Sequence, residues 1–171
     1  MTFRILALPR SEFEGLFALS DEALAAQRAR RMDPDAVAGM PCRVSLEDAV
    51  AGETVLLLNY THLDTDTPYR ASHAICVREH AAQAEPDPGD VPFAIRRRLI
   101  SARLFDAPGN IVGSDVFEGT ELASFLAEGF QREDVAYAHI HYARNGCFAA
   151  KAVRAGSACA RPGNAIKSEN N

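Results

Sequence analysis

At 171 residues, 47% hydrophobic and 24% charged, the chain has the composition of one globular domain with an ordinary core. A formal charge of −5, and no run of about 18 apolar residues, argue against a nucleic-acid partner and against a membrane span. The basic clusters Arg28-Ala29-Arg30-Arg31 and Arg96-Arg97-Arg98 are short and carry no interleaved aromatics, so they read as solvated surface rather than a phosphate track.

Residues 3–8 look like a first strand, ended by Pro9. The apolar part of this stretch is too short for a secretory signal, so a cytoplasmic protein is expected. Ser11 and then Ser20-Asp21-Glu22 offer helix caps, and residues 21–32, rich in Ala, Leu, Gln and Arg, predict a helix stopping before Asp33-Pro34. Ser45-Leu46-Glu47-Asp48 resembles a capping box that opens one helical turn. Residues 53–60 read as a buried strand because Val55-Leu56-Leu57-Leu58 is continuously apolar. Residues 61–72 read as a long polar loop, 73–79 as extended, and 81–92, broken by Pro86, Pro88 and Pro92, as irregular.

Two alternating runs, 99–106 and 111–117, flank Ala107-Pro108-Gly109-Asn110 and predict a hairpin. Residues 120–129 predict an amphipathic helix, with Leu122, Phe125 and Leu126 at helical spacing and Gly129 as its stop. A last hairpin is expected over 135–143 and 148–154. From residue 156 to 171 the composition turns polar and loses periodicity, giving an expected tail behind one domain of residues 1–155. Hairpin-linked strands with a few helices, and no regular strand–helix alternation, predict an α+β fold on a mainly antiparallel sheet.

The segment Ala138-His139-Ile140-His141-Tyr142-Ala143-Arg144-Asn145-Gly146-Cys147 carries the chemistry. Residues two apart share a strand face, so His139 and His141 project together and could converge on a divalent transition metal or a small-molecule ligand. With a two-residue turn at Asn145-Gly146, His141 faces Ala150, His139 faces Ala152 and Cys147 points to the opposite side; a three-residue turn bulged at Gly146 returns Cys147 to the histidines. Further metal ligands would come from the loop bearing His62, Asp64, Asp66 and His73, although Asp64 and Asp66 sit among turn formers that favour bonds to their own backbone.

A thiol enzyme is a second reading, with Cys42 or Cys147 as nucleophile and His139 or His141 as base. Cys76, inside an alternating strand, reads as a small buried hydrophobe. Four widely spaced cysteines (Cys42, Cys76, Cys147, Cys159) without a Cys-x-x-Cys pair favour reduced thiols. Arg43, Arg70, Arg78 and Arg144 could lend positive charge to a pocket, or lie on the surface. A non-catalytic structural or partner-binding protein is the third reading. No glycine-rich phosphate loop, nucleophile elbow, zincin motif or dinucleotide fingerprint is present.

Together with Pro41-Cys42-Arg43, the strand over 55–60 and the run Pro68-Tyr69-Arg70-Ala71-Ser72-His73-Ala74-Ile75-Cys76-Val77-Arg78-Glu79, the histidine segment resembles a bacterial family of unknown function, number 1203 in the domain-of-unknown-function series. The resemblance spans residues 3 to 155 or so. It implies a small cytosolic bacterial protein and brings no activity, cofactor or partner with it. His139, His141, Cys147 and Cys42 match its recurring pattern.

Overall fold

The computed structural model describes residues 2–34 and 39–156, so the tail expected behind the domain, Cys159 included, lies outside the described residues from 157 on. In chain order the regular elements are β1 (Phe3–Leu6), α1 (Asp21–Ala26), β2 (Ala29–Met32), β3 (Val55–Leu63), β4 (Ala71–Arg78), α2 (Phe93–Arg96), β5 (Leu99–Phe105), β6 (Ile111–Glu118), α3 (Leu122–Gly129), β7 (Tyr137–Tyr142) and β8 (Phe148–Arg154), with short 3₁₀ turns between. They form an α+β fold on two antiparallel sheets, one of five strands in the order β1-β8-β7-β5-β6 and one of three in the order β2-β3-β4.

The five-stranded sheet has two unlike faces, and strand alternation sorts its residues between them. On one face Ile5, Ile100, Ala102, Leu104, Ala138, Ile140, Ala150 and Ala152 pack against Leu122, Leu126 and Phe130 at α3, a closed hydrocarbon core. On the other, Phe148 joins Leu56, Leu58, Ile75 and Val77 of the small sheet. The small sheet therefore covers the face of β7 that carries His139 and His141.

The predicted 99–106 and 111–117 hairpin, the helix near 120–129 and the final hairpin all form. Three local readings change. The helix read over 21–32, capped by Ser20 as expected through its bond from the Ala23 N–H, ends at Ala26; Arg28 turns the chain at φ 55° and Ala29–Met32 pairs with β3 instead. Ladder bonds and burial of Ala29 outweigh the helix propensity of this arginine-rich segment. The helical turn read at Ser45 is a nonhelical loop, because Leu46 adopts φ 55° and the Val44 and Ser45 N–H groups are taken by the Cys42 sulfur. The long loop read over 61–72 is shorter, since β3 runs on to Leu63 and β4 begins at Ala71.

Candidate metal centre between the sheets

Two β-bulges aim the central side chains. In the last hairpin Tyr142 N–H bonds the Cys147 carbonyl and Gly146 N–H the Tyr142 carbonyl, with Gly146 at φ 71°. The turn thus holds four residues, Ala143 to Gly146, one or two more than either expected register. The register then slips between Ile140 and His141: His141 faces Phe148, Ile140 faces Ala150 and His139 faces Lys151. On the small sheet, Thr61 pairs with Ser72 and Leu63 with Ala71, leaving His62 as the extra residue of a bulge. An unpaired bulge residue redirects its side chain, and His62 turns toward β7.

Four of the five histidines meet here. His62 Nδ1 lies 3.2 Å from His139 Nδ1, and His62 Nε2 lies 2.7 Å from His73 Nδ1. The Phe148 ring is nearly parallel to His62 at 4.7 Å between centroids, and its edge contacts reach His139 and His141. His139 and His141 are buried, at 2% and 0% exposure. His141 Nδ1 is 3.0 Å from the Gly146 carbonyl, which can only accept, so Nδ1 carries the proton and Nε2 keeps its lone pair. That Nε2 is buried and has no hydrogen-bond partner. Ligand atoms of His62, His139 and His141 all lie within 4.8 Å of one another.

These imidazoles are held neutral. Burial pushes His62 and His141 down to about 3, aided at His62 by the neighbouring imidazoles and Arg103 and at His141 by Arg103. Burial likewise depresses His139 well below the usual range, and it lowers His73, with Arg103 and Arg43 adding to the effect. Neutral imidazoles offer lone pairs, the form a metal requires. Two nitrogens each about 2.0–2.1 Å from one tetrahedral zinc ion are separated by roughly 3.3 Å, close to the His62–His139 spacing.

The other candidates lie elsewhere. Asp64 and Asp66 are exposed, and Asp64 binds Arg70 at 2.7 Å. Buried Cys42 accepts from the backbone N–H groups of Val44, Ser45 and Arg78, while Cys147 accepts from the Arg43 guanidinium at 3.2 Å. No histidine hydrogen-bonds either sulfur among the described residues. Burial pushes the Cys76 thiol up, a hydrophobe's environment. Arg78 pairs with Glu47 and Glu53, and Arg144 is exposed. Arg43 is 2% exposed; it donates to the Pro41 carbonyl and, at 2.7 Å, to that of Phe148, fixing the hairpin that bears the histidines. Sequence reasoning missed Phe148 and Arg103; their period-two placement on β8 and β5 was visible, but only the register puts them beside His141 and His139.

Among the described residues no helix is long and apolar enough to cross a membrane. No curated protein and no solved structure matches the chain. The model of the family DUF1203, described as a protein of unknown function, matches residues 39–154, a span holding all four clustered histidines, and the chain belongs to that family.

Proposed function

We propose that this protein binds one divalent transition-metal ion, zinc being the best fit, through His62, His139 and His141. The observation that carries the reading is the buried, unpartnered Nε2 of His141. Leaving such an atom unsatisfied costs about 1–3 kcal/mol, and a metal ion would remove that cost. Its other nitrogen is already held by the Gly146 carbonyl, and His62 can donate its Nε2–H to His73 while its Nδ1 lone pair points at His139. Ligating histidines are oriented in this way, by a bond from the second ring nitrogen to a neighbouring acceptor. Three protein ligands leave a coordination position open, the arrangement of catalytic rather than structural zinc, so the chemistry available is activation of water or polarisation of a bound oxygen. The reading sits in a bacterial cytoplasm, where the three free described cysteines stay reduced.

A structural role is the competing reading, and one observation favours it. The direct His139–His62–His73 contacts form an imidazole chain that ties the two sheets together without a metal. Elemental analysis of untagged protein purified without chelators, beside His62→Ala, separates the two. Near-stoichiometric metal that disappears in the variant is the expected result. Metal-free protein that gains no thermal stability from added zinc, cobalt, nickel, manganese or iron would sink the proposal.

A further inference from the structure

Beside the histidines, on the same face of the five-stranded sheet, lies a cavity of about 220 Å³ lined by Ser101, Arg103, Ile111, Ser114, Asp115 and Val116. Register sets two of its lining residues, Ser101 and Arg103, directly beside the cluster. Arg103 is paired with His139 on one side and Ser114 on the other, and Ser101 is paired with His141 and Val116. Directly paired residues on one face bring their Cβ atoms to roughly 4.5–5.5 Å, so Arg103 and Ser101, then Ser114 one strand further out, form a row leading away from the imidazoles. We infer that this row is a subsite for a small oxyanion, a carboxylate or phosphate group, gripped by the Arg103 guanidinium and the Ser101 and Ser114 hydroxyls while a second oxygen reaches toward the histidine centre.

Three observations support it. Arg103 is half-buried yet makes no ion pair or hydrogen bond with any carboxylate among the described residues. The one acidic residue lining the cavity, Asp115, is exposed and pairs with Ala102, whose side chain belongs to the opposite face; its Oδ1 accepts from the Val116 N–H at 2.7 Å. Finally, the side-chain charges that weigh most on the four histidines are positive: Arg103 acts on all four, Arg43 on His73 and His141, and Lys151 on His139. An all-imidazole centre holding a dication has no negative ligand of its own, and buried charge needs a counter-charge. Arginine is the side chain suited to planar, two-point recognition of carboxylate or phosphate.

The second contact rests on the proposed metal centre, whereas the Arg103 contact does not. The test is isothermal titration of inorganic phosphate, and separately of acetate, into zinc-loaded and metal-free protein, in wild type, Arg103→Gln, Arg103→Lys and Ser114→Ala. Metal content and circular dichroism are recorded for each. The expected result is saturable binding of at least one anion, tighter in the zinc-loaded form and weakened about tenfold or more in Arg103→Gln at unchanged metal content, as loss of a charged hydrogen bond requires. Arg103→Lys should recover part of the affinity, and exposed Ser114→Ala should lose about threefold without touching the fold. Which anion saturates tells carboxylate from phosphate. Protein that takes up no metal but still binds an anion through Arg103 would refute the metal centre and keep the subsite. Metal-loaded protein that binds neither anion, or Arg103→Gln that binds as tightly as wild type, would overturn the subsite and leave the metal centre standing.

Discussion

The two faces of β7 are built on opposite principles. Ala138, Ile140 and Tyr142 look toward α3 into a hydrocarbon core with nothing left unsatisfied among its side chains. His139 and His141, each one residue away, look into an interior just as dry, yet they carry lone pairs and an unpartnered nitrogen there. Residues buried for packing alone are apolar, because an unsatisfied buried polar atom is destabilising. The α3 side therefore stabilises the sheet, while the small-sheet side gives up stability for a polar site. Proteins concentrate such local conflicts where function resides.

The largest expected effect falls on the α3 side. Phe130→Ala, at 0% exposure, should cost about 3–5 kcal/mol in denaturant unfolding, from lost burial plus a cavity, while the metal bound per folded molecule stays at the wild-type value. A variant that loses metal in proportion to stability would erase the contrast between the faces. On the opposite side His141→Leu should behave in reverse. Without metal its stability should lie within about 1 kcal/mol of wild type, since the orphaned Nε2 leaves with the Gly146 bond. With zinc at a thousand times the wild-type Kd, wild type should gain about 4 kcal/mol and the variant nothing. Titration calorimetry and thermal melts on both forms read this directly.

Acid should also act on one face alone. In the unfolded chain a histidine takes up its proton near pH 6.5. In the metal-free folded protein His62 and His141 stay neutral down to about 3, and His139 is depressed in the same direction. Between those limits the unfolded chain binds more protons, so stability is full above about pH 6.5 and falls as the pH drops toward 3. Urea unfolding at pH 7 and pH 5 should show that loss, and His141→Leu should lose less over the same interval. A pH-independent wild type would mean that the cluster is solvated.

How much of this was legible in the sequence follows the same division. The pairing of His139 with His141 on one face needs only the two-residue period of a strand, and the α3 contacts need only helical spacing. The α+β class followed from turn residues such as Pro108-Gly109-Asn110, whose reversal the Asp106 carboxylate secures by accepting from the Gly109 and Asn110 N–H groups. His62 was a named ligand source but was read on a loop, because the bulge that presents it depends on the partner strand and leaves no local signature. The hairpin slip that puts Phe148, rather than Ala150, opposite His141 was hidden for the same reason. Arg103 was not singled out, since its lack of a carboxylate partner exists only in three dimensions. Helix propensity at 27–32 misled because the competing partner, β3, is distant in the chain.

The smallest effect sharpens the boundary of the site. Asp64 and Arg70 form a close ion pair at the tip of the β3–β4 connection, both side chains more than half exposed, on the same hairpin as His62 and His73. Exposed pairs contribute about 0–1 kcal/mol because water screens them and holding two long side chains costs entropy. Asp64→Asn should therefore change stability by less than about 0.5 kcal/mol and leave zinc affinity within about twofold of wild type. A tenfold loss of zinc affinity in that variant would place Asp64 in the centre and give the dication the carboxylate that the imidazole cluster lacks, removing the charge argument for an oxyanion at Arg103.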